Sequence, residues 1–343
     1  MHALGDGSRG QTGRTGPLSA AGKKYVLLTA AYNEEAHIGR TIESVVGQTL
    51  LPQRWVIVDD GSTDRTDEIV QKYAVKYPFI HLVRIQEKHA RNFGAQVMAI
   101  NRGREQLQDV DYEFIANLDA DLSFEPAYYD KLLQKFDEDP KLGLAGGFIY
   151  EQGHDGLFRS RLLNTEHSVG HAVQMLRREC YDSIGGWVAM PYGGQDWQAL
   201  VTAQMRGWRI KAFRDLPVFH HRPTGSGDRR VRNLFREGRM DYSVGSYPPF
   251  EIFKIIRRFP FKPCVLGSLV RLCGFLWGYW LREERPVSKE FIRFLRSEQK
   301  DLLRKLFHLG SPKETLPKAI PSHTGPMCSD ETPSDKPPVS HNA

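Results

Sequence analysis

The sequence predicts an α/β fold, a doubly wound and mostly parallel sheet with helices on both faces. Strand-length apolar runs alternate with stretches of helical periodicity, and this alternation repeats four times. The apolar runs are Tyr25 to Ala30, Trp55 to Val58, His81 to Ile85 and Tyr112 to Ile115. Strands separated by helices pair in parallel through right-handed crossovers. In such sheets ligands bind outside the carboxyl ends of the strands, so a functional site is expected at that edge.

The helices are placed by periodicity and by turn residues. Asn33 is a candidate cap for a first helix that contains Ile38, Ile42 and Val45. A second helix is predicted over Arg65 to Tyr77 and a third over Ala90 to Leu107. Ser62 or Thr63 is a candidate cap for the second helix.

Composition restricts the class of protein. The chain has 343 residues, 40% hydrophobic and 26% charged, which is ordinary for a globular protein. A formal net charge of +6 is a mild excess, which suits an anionic substrate or membrane surface and does not call for nucleic acid. None of the four cysteines forms a CxxC pair, so neither a zinc ribbon nor a disulfide framework is indicated. A reducing, cytoplasmic compartment is therefore expected.

Four segments are predicted along the chain. Residues 1–22 are rich in Gly, Ser and Thr without an apolar stretch, which indicates a disordered leader rather than a secretory signal. Residues 23–228 form the α/β domain, and residues 229–309 a helical extension. Residues 310–343 are rich in Pro, Ser and Thr and are predicted to be a disordered tail.

Polar clusters follow three of the predicted strands. They are Tyr32-Asn33-Glu34, Asp59-Asp60 and Asp119-Ala120-Asp121. Aspartates two residues apart can face the same side, and their repulsion is relieved by a hard divalent cation that also contacts a diphosphate. A single Asp-x-Asp is usually an ordinary acidic turn. Three clusters at one sheet edge favour a site for Mg²⁺ or Mn²⁺ with a phosphorylated ligand.

The ordered set of motifs resembles family 2 glycosyltransferases with the GT-A fold. The motifs are Thr29 to Glu35, Val58 to Asp64, Leu118 to Asp121, Gly194-Gln195-Asp196 and His220-His221, and the resemblance spans Lys24 to Thr224. It implies an inverting transfer of a sugar from a UDP- or GDP-sugar to an acceptor hydroxyl. One departure is Ala31, where the family usually has proline before the tyrosine.

The resemblance also implies roles for individual residues. The residues assigned to the sugar-nucleotide are Ala31, Tyr32, Glu34, Asp59, Asp60, Lys88, Arg91, Asp119 and Ala120. Lys88 and Arg91 would lie near the diphosphate, although a solvated charge run explains each of them nearly as well. Asp121 would hold the metal, and Asp119 would bind metal or ribose. His220 and His221 are candidate metal ligands; strand alternation points them to opposite faces, and His220 is preferred.

Asp196 is predicted to be the general base. An inverting transfer needs the acceptor hydroxyl deprotonated as it attacks the anomeric carbon. The family commonly has Glu-Asp here, whereas this chain has Gln195-Asp196, so the aspartate remains. Because Gly193 and Gly194 precede it, Asp196 could instead be a helix cap. Trp187 and Trp197 could stack on a sugar ring, though tryptophans more often pack in a core.

The apolar and aromatic stretch Pro263 to Leu281 has two interpretations. It has nearly the length of a membrane span, but Arg271 at its centre would be costly in lipid. Basic residues flank it: Lys254, Arg257, Arg258, Lys262 and Arg282. It is either a helix in the membrane interface or a helix packed on the protein's own core. The first interpretation predicts a peripheral protein at the inner face of the cell membrane, with a lipid-linked or other glycan acceptor.

Three other functions agree less well with the sequence. A sugar-nucleotide nucleotidyltransferase would usually have a Gly-rich basic loop after the first strand, where this chain has Ala31-Tyr32-Asn33-Glu34. A non-catalytic nucleotide-sugar-binding protein would lack a catalytic group, whereas Asp121 and Asp196 are both present. A dehydrogenase is disfavoured because no Gly-x-Gly-x-x-Gly follows the first strand.

Overall fold

The structure, a computed structural model, describes residues 22–86, 93–153, 155–161, 164–222, 230–258 and 264–308. Its first half alternates strands and helices, as the sequence predicts. The elements are β1 (Tyr25–Ala31), α1 (Ile38–Val46), β2 (Arg54–Asp59), α2 (Thr66–Lys76), β3 (Ile80–Arg84), α3 (Ala95–Arg104) and β4 (Phe114–Asn117). The apolar runs are strands because both of their faces are covered, which removes their side chains from water.

The parallel pairing predicted for these strands is confirmed. The order is β3-β2-β1-β4, with Val26 opposite both Arg54 and Ile115. The carboxyl ends of β1, β2 and β4 therefore lie side by side. The main hydrophobic core fills both faces of this sheet.

The second half extends the same sheet with mixed pairing. Its elements are β5 (Leu122–Phe124), α4 (Tyr128–Glu138), β6 (Leu142–Gln152), β7 (Phe158–Ser160), β8 (Met175–Arg177), α5 (Arg178–Ser183), α6 (Gln195–Met205) and β9 (Arg209–His220). The order continues from β4 as β8-β6-β9-β5, and β7 pairs with β6. β9 is parallel to β6 and antiparallel to β5.

The second half departs from the sequence prediction at one strand, and several elements were missed. The sequence predicts two short strands, near residues 208–213 and 218–221, but β9 is continuous from Arg209 to His220. A register shift between Gly147 and Phe148 in its pairing with β6 accommodates the intervening residues. β5 and α4 had not been predicted, although Leu132, Leu133 and Phe136 form a buried helical stripe.

Two cap assignments were also wrong. α1 begins after His37, and Asn33 lies outside the helix with a left-handed φ of 53°. Asparagine favours both helix caps and left-handed turns, so its presence did not distinguish them. At α2, Asp64 accepts from the backbone N–H of Thr66 at 3.0 Å, while Ser62 and Thr63 bond to the loop after β1.

The described residues of 230–258 and 264–308 form four helices that we call the helical layer: α7 (Arg230–Ser243), α8 (Pro248–Arg258), α9 (Cys264–Leu281) and α10 (Lys289–His308). α7 and α9 lie so close that a Cβ at Gly238 would overlap the backbone of Arg271, and one at Gly274 the backbone of Phe235. A second, smaller core joins α6 to α10 through Trp197, Val201, Phe291 and Leu295.

Arg271 is buried between α7 and α9. Its guanidinium pairs with Asp241 at 2.6 Å and with Glu237. Lys254, predicted as a charge flanking α9, instead bonds Asp241 and Glu251, each at 2.9 Å. Burial alone would raise the pKa of Asp241, but Arg271 and Lys254 hold it below its ordinary value. The inner face of α9 is thus packed on the protein, as the second interpretation of this stretch requires.

Within the described residues, no helix is both long and apolar enough to cross a membrane. The predicted leader and tail lie almost entirely outside the described residues.

Candidate functional site

The loops after β1 and β2 are bonded to each other. Asn33 Oδ1 accepts from the backbone N–H of Thr63 at 2.8 Å, and its own N–H donates to Ser62 Oγ at 3.0 Å. The N–H of Glu34 donates to Thr66 Oγ1 at 2.8 Å. These bonds hold the two predicted nucleoside-binding segments in a single surface.

The register of β1 and β2 places Ala31 next to Asp59 and Asp60. Ala31 lies opposite Asp59, and the N–H of Asp60 donates to the carbonyl of Ala31 at 2.9 Å. Asp59 is buried and accepts from the N–H of Ser62 at 3.1 Å, which shapes the turn that follows. Ala31, Asp59 and Asp60 therefore lie together, with Tyr32 next to them in sequence.

Asp119 follows β4 and is anchored by amides. Gln96 Nε2 donates to its Oδ1 at 2.6 Å, and Asn117 Nδ2 donates to the same atom at 3.2 Å. Burial, together with the Asp121 carboxylate, raises the pKa of Asp119. The residue between the two aspartates, Ala120, is buried, and its carbonyl accepts from Thr41 Oγ1 at 2.8 Å. The Asp-x-Asp segment is thus fixed from both faces of the sheet.

Asp121 lies at the centre of a cluster of charges. Leu122 is opposite His220 in the β5–β9 pair, which brings His220 Nε2 to 3.1 Å from Asp121 Oδ2. Arg222 Nε lies 3.4 Å from the same oxygen. Burial opposes ionisation, but the His220 hydrogen bond and the two positive charges hold the pKa of Asp121 below its ordinary value. We call the sheet edge that carries Asp59, Asp119, Asp121 and His220 the carboxylate edge.

Arg222 joins the carboxylate edge to the loop after β1. Its guanidinium bonds Glu34 as well as Asp121. Burial and the Asp121 charge raise the pKa of Glu34 to about 7, against the opposing effect of Arg222. From the sequence, Arg222 is predicted to begin a mobile loop that closes over the diphosphate, and its pairing with Glu34 and Asp121 was not predicted.

His220 is held in its charged form. Burial lowers its basicity, but hydrogen bonds to Asp121 and Glu151 raise the pKa of His220 to about 9. Two positive groups, His220 and Arg222, therefore face Asp121, where a cation had been predicted to bind.

Asp196 lies on a different element from the carboxylate edge. Gly193 and Gly194 both have positive φ, and Gly194 occupies the N-cap position of α6. Asp196 is thus in the first turn of the helix rather than at its cap. Its Oδ1 accepts from the N–H of Trp197 at 2.8 Å, and its carbonyl accepts from Gln174 Nε2 at 3.2 Å.

The sequence profile described as glycosyl transferase family 2 matches residues 27–197. This span contains the loops after β1 and β2, the Asp-x-Asp segment and Asp196. Through residues 27–197, the chain belongs to glycosyltransferase family 2.

Curated relatives match part of this glycosyltransferase. The poly-beta-1,6-N-acetyl-D-glucosamine synthase of Staphylococcus aureus (strain COL) is 32% identical over 123 residues, which is 35% of this chain and 27% of the relative. The uncharacterized glycosyltransferase YibD of Escherichia coli (strain K12) is 34% identical over 116 residues, or 34% of this chain and 31% of the relative. The matched segment thus spans less than a third of either relative.

Solved structures share the GT-A fold. TarS residues 1–349 of S. aureus in complex with UDP-GlcNAc superpose with a TM-score of 0.50 at 17% identity, over 83% of this chain and 86% of that one. GalNAc-T7 with UDP, GalNAc and Mn²⁺ gives 0.53 at 13% identity, over 84% and 58%. The predicted fold class is confirmed.

The side chains of the two histidines at the end of β9, His220 and His221, have different partners. His221 is bonded through both ring nitrogens, to Arg40 Nη1 at 2.8 Å and to Ser123 Oγ at 2.7 Å. Burial and the nearby Arg40 lower the pKa of His221 to about 4. Its ring therefore serves a polar contact with α1 and β5, while His220 is the histidine at Asp121.

Sequence reasoning missed His171, which lies behind the Asp-x-Asp segment. It is buried, and Asn117 Nδ2 lies 3.1 Å from its Nδ1 and donates to its carbonyl at 2.8 Å. Burial lowers the pKa of His171, while the charges of Asp119 and Asp196 oppose that shift. Both carboxylates therefore act on one imidazole. The sequence around His171 carried no motif that could have identified it.

Other predicted site residues have different outcomes. Trp187 and Trp197 are both buried; Trp187 donates to Gln174 Oε1 at 2.9 Å, and Trp197 packs on Phe291. Core packing therefore accounts for both tryptophans. Lys88 and Arg91 lie outside the described residues.

Proposed function

We propose that this protein is an inverting glycosyltransferase that moves a sugar from a nucleoside-diphospho-sugar to an acceptor hydroxyl. The observation that carries the proposal is the carboxylate edge: Asp121 surrounded by His220, Arg222 and Asp119, directly beside the bonded loops after β1 and β2. Family membership supplies the reaction class.

The sugar-nucleotide would bind across this edge. Asp59 and Asp60 offer acceptors for a nucleobase N–H, and Tyr32, Glu34 and the backbone of Ala31 complete the nucleoside side. Asp119 and the backbone of Ala120 would face the ribose, and Lys88 and Arg91 the diphosphate. These roles are the ones that the resemblance to family 2 glycosyltransferases implies.

The residues fit a divalent cation that is completed by its ligand. Asp121 and His220 offer an oxygen and a nitrogen 3.1 Å apart, and Asp119 follows two residues away in sequence. No group of three metal-type side chains converges among the described residues. That suits Mg²⁺ or Mn²⁺ bound by one or two protein groups together with phosphate oxygens. When bound, such an ion offsets the charge that develops on the departing diphosphate.

Binding of the sugar donor would rearrange the charges at Asp121. Metal ligation requires a neutral imidazole, so His220 would release its proton. Arg222 would exchange Asp121 for the phosphates, which match a guanidinium in charge and geometry.

Asp196 would activate the acceptor. Its carboxylate takes the proton of the acceptor hydroxyl while that oxygen attacks the anomeric carbon from the face opposite the diphosphate. The bond from the anomeric carbon to the phosphate oxygen breaks, and the nucleoside diphosphate leaves with the electron pair.

The relatives suggest the class of substrate. The S. aureus relative is named for poly-N-acetylglucosamine synthesis, and the TarS and GalNAc-T7 structures contain UDP-GlcNAc and UDP respectively. We therefore favour a UDP-sugar over a GDP-sugar. We further propose that the enzyme acts in cell-envelope or polysaccharide synthesis. Its acceptor would be a glycan or a lipid-linked glycan at the cytoplasmic face of the membrane.

The decisive experiment compares sugar-nucleotide binding and turnover. With Mn²⁺ and a panel of UDP- and GDP-sugars, one sugar-nucleotide is expected to raise the melting temperature and to release its nucleoside diphosphate. Asp196→Asn should lower turnover by about 100-fold or more while that thermal shift persists. Asp182→Asn is the matched control, since Asp182 is an exposed acid on α5. Release of pyrophosphate from a nucleoside triphosphate and a sugar phosphate would indicate the nucleotidyltransferase alternative, and binding without turnover a non-catalytic protein.

A further inference from the structure

α9 has two faces with opposite surroundings. Its inner face packs on α7 through Arg271, Gly274, Phe275 and Gly278. Its outer face exposes large apolar side chains spaced by one or two helical turns: Val265, Leu266, Leu269, Leu276, Trp277, Trp280 and Leu281. Residues at this spacing form one continuous stripe on a helix.

The degree of exposure is unusual for such side chains. Leu266 is 64% exposed and Trp280 is 71% exposed. Contiguous apolar surface of this kind marks a place where a protein or a membrane is bound. The only charged residue of α9, Arg271, is buried on the other side, so the stripe itself carries no charge.

We propose that the outer face of α9 docks on an anionic lipid bilayer, lying in the plane of the interface. The two interpretations of this stretch are then compatible, because packing uses the inner face and lipid the outer one. This surface goes beyond the transfer reaction proposed above and does not depend on it.

Charge favours a bilayer over a second copy of the chain. From Ile252 to Arg282 the sequence has six basic residues and no acidic one, and two of the six, Lys254 and Arg271, are already neutralised by the ion pairs with α7 and α8 described above. Arg257 and Arg282 are exposed near the two ends of this stretch. A second copy would bring the same positive charge to the contact, whereas acidic phospholipids bring the opposite charge.

The aromatic residues fit the same geometry. The rings of Trp277 and Trp280 are 4.7 Å apart at the carboxyl end of the helix, next to Arg282. Tryptophan and arginine are the side chains that concentrate at the boundary between acyl chains and headgroups. The helix would therefore enter the acyl region only with its outer stripe, at a depth that leaves Arg282 in contact with headgroups.

The proposal is tested by vesicle co-sedimentation of the full chain without any sugar-nucleotide, so that it fails or holds independently of the enzymatic proposal. Wild type is expected to bind vesicles of phosphatidylcholine with phosphatidylglycerol, and to bind phosphatidylcholine alone more weakly. Added salt should reduce the difference. The double variant Leu266→Ser/Trp280→Ser should lose about tenfold or more in partitioning, because two large side chains no longer leave water.

The matched control is Val75→Ser/Leu157→Ser, which removes two exposed apolar side chains from the α/β domain. It should bind vesicles like wild type. Equal binding by both double variants, or no binding by wild type, would overturn the proposal. So would a stable wild-type dimer that becomes monomeric in Leu266→Ser/Trp280→Ser and shows no lipid binding.

A second measurement does not depend on the folding of that variant. Brominated acyl chains quench tryptophans that enter the membrane. Emission of the wild type should fall on such vesicles, and Trp277→Phe/Trp280→Phe should remove most of the quenching. Quenching that persists in this conservative variant would contradict docking through α9.

Discussion

The carboxylate edge and the helical layer both contain buried charges, but they pair them differently. At the carboxylate edge, Asp121 is matched by His220 and by Arg222, whose side chain is 47% exposed. In the helical layer, Asp241 is matched by Arg271 and Lys254, whose side chains are only 2% and 13% exposed. An exposed partner can be exchanged for a ligand, whereas a buried one cannot move without unfolding the helices around it. The comparison separates charges kept for binding from charges that hold helices together.

Removal of Arg271 should have the largest effect on stability. Arg271→Met leaves Asp241 and Glu237 short of a partner at the α7–α9 contact, so we expect a loss of about 3 kcal/mol or more in the free energy of unfolding. Urea denaturation followed by circular dichroism measures it. Arg304→Met is the control, since the exposed Arg304–Asp301 pair should contribute about 0.5 kcal/mol or less. Similar losses of unfolding free energy in both variants would contradict a structural role for the buried Arg271 pairs.

Asp121→Asn should affect binding more than folding. The substitution keeps the shape of the side chain but removes the charge that would hold the cation, so the dissociation constant for UDP with Mn²⁺ should rise about tenfold or more. The free energy of unfolding should change by less than in Arg271→Met, because Arg222 can turn to water. Calorimetric titration and urea denaturation give the two values. Asp155→Asn, at the exposed pair with Arg159, is the control. A large loss of stability with intact binding would make Asp121 a structural residue.

The pH dependence of the free energy of unfolding provides a further test of the carboxylate edge. The pKa of Glu34 is raised from 4.5 to about 7 in the folded protein, so the folded state holds a proton that the unfolded state has released. The stabilising contribution is complete below pH 4.5 and is lost as pH rises through about 7. Between those limits the ligand-free protein should lose about 3 kcal/mol of stability through this group, because one pKa unit corresponds to about 1.4 kcal/mol.

The control for this pH dependence is Glu34→Gln, which should show a flatter profile over the same range. Unfolding in urea at a series of pH values measures both proteins. His220 acts in the same direction at higher pH, between 6.5 and about 9, because its folded pKa is also raised. A profile for Glu34→Gln that matches wild type would show that Glu34 is solvated rather than enclosed.

The parallel half of the sheet could be predicted from the sequence because each strand there is a continuous apolar run, which matches its buried position in the fold. Val26 to Leu28 and Val56 to Val58 are apolar on both faces, and such runs have few other stable environments. The Asp-x-Asp segment and Asp196 were identified because their motifs are short and contiguous. Their neighbours were not: Arg222 reaches Glu34 across 188 positions of sequence, and no local pattern reports such a contact.

The helical layer was predicted only in outline for a related reason. The charge of Arg271 made a membrane span unfavourable, but its partners could not be predicted from the sequence. Asp241 and Glu237 lie 30 and 34 positions earlier, on another helix. The apolar composition of α9 was visible, whereas the division into a packed face and an exposed face depends on where α7 lies. Asn33 was misassigned because the same residue type suits two different backbone conformations.

The pairing of Arg222 has a kinetic consequence. The Arg222 side chain pairs with Glu34 in the loop after β1 and with Asp121 in the Asp-x-Asp segment, so it lies across the proposed donor site. If Arg222 moves to the phosphates when the sugar-nucleotide binds, both carboxylates become available to the donor before an acceptor is bound. We therefore expect an ordered mechanism in which the nucleotide enters first and leaves last. Product inhibition by the nucleoside diphosphate should then be competitive with the sugar donor alone.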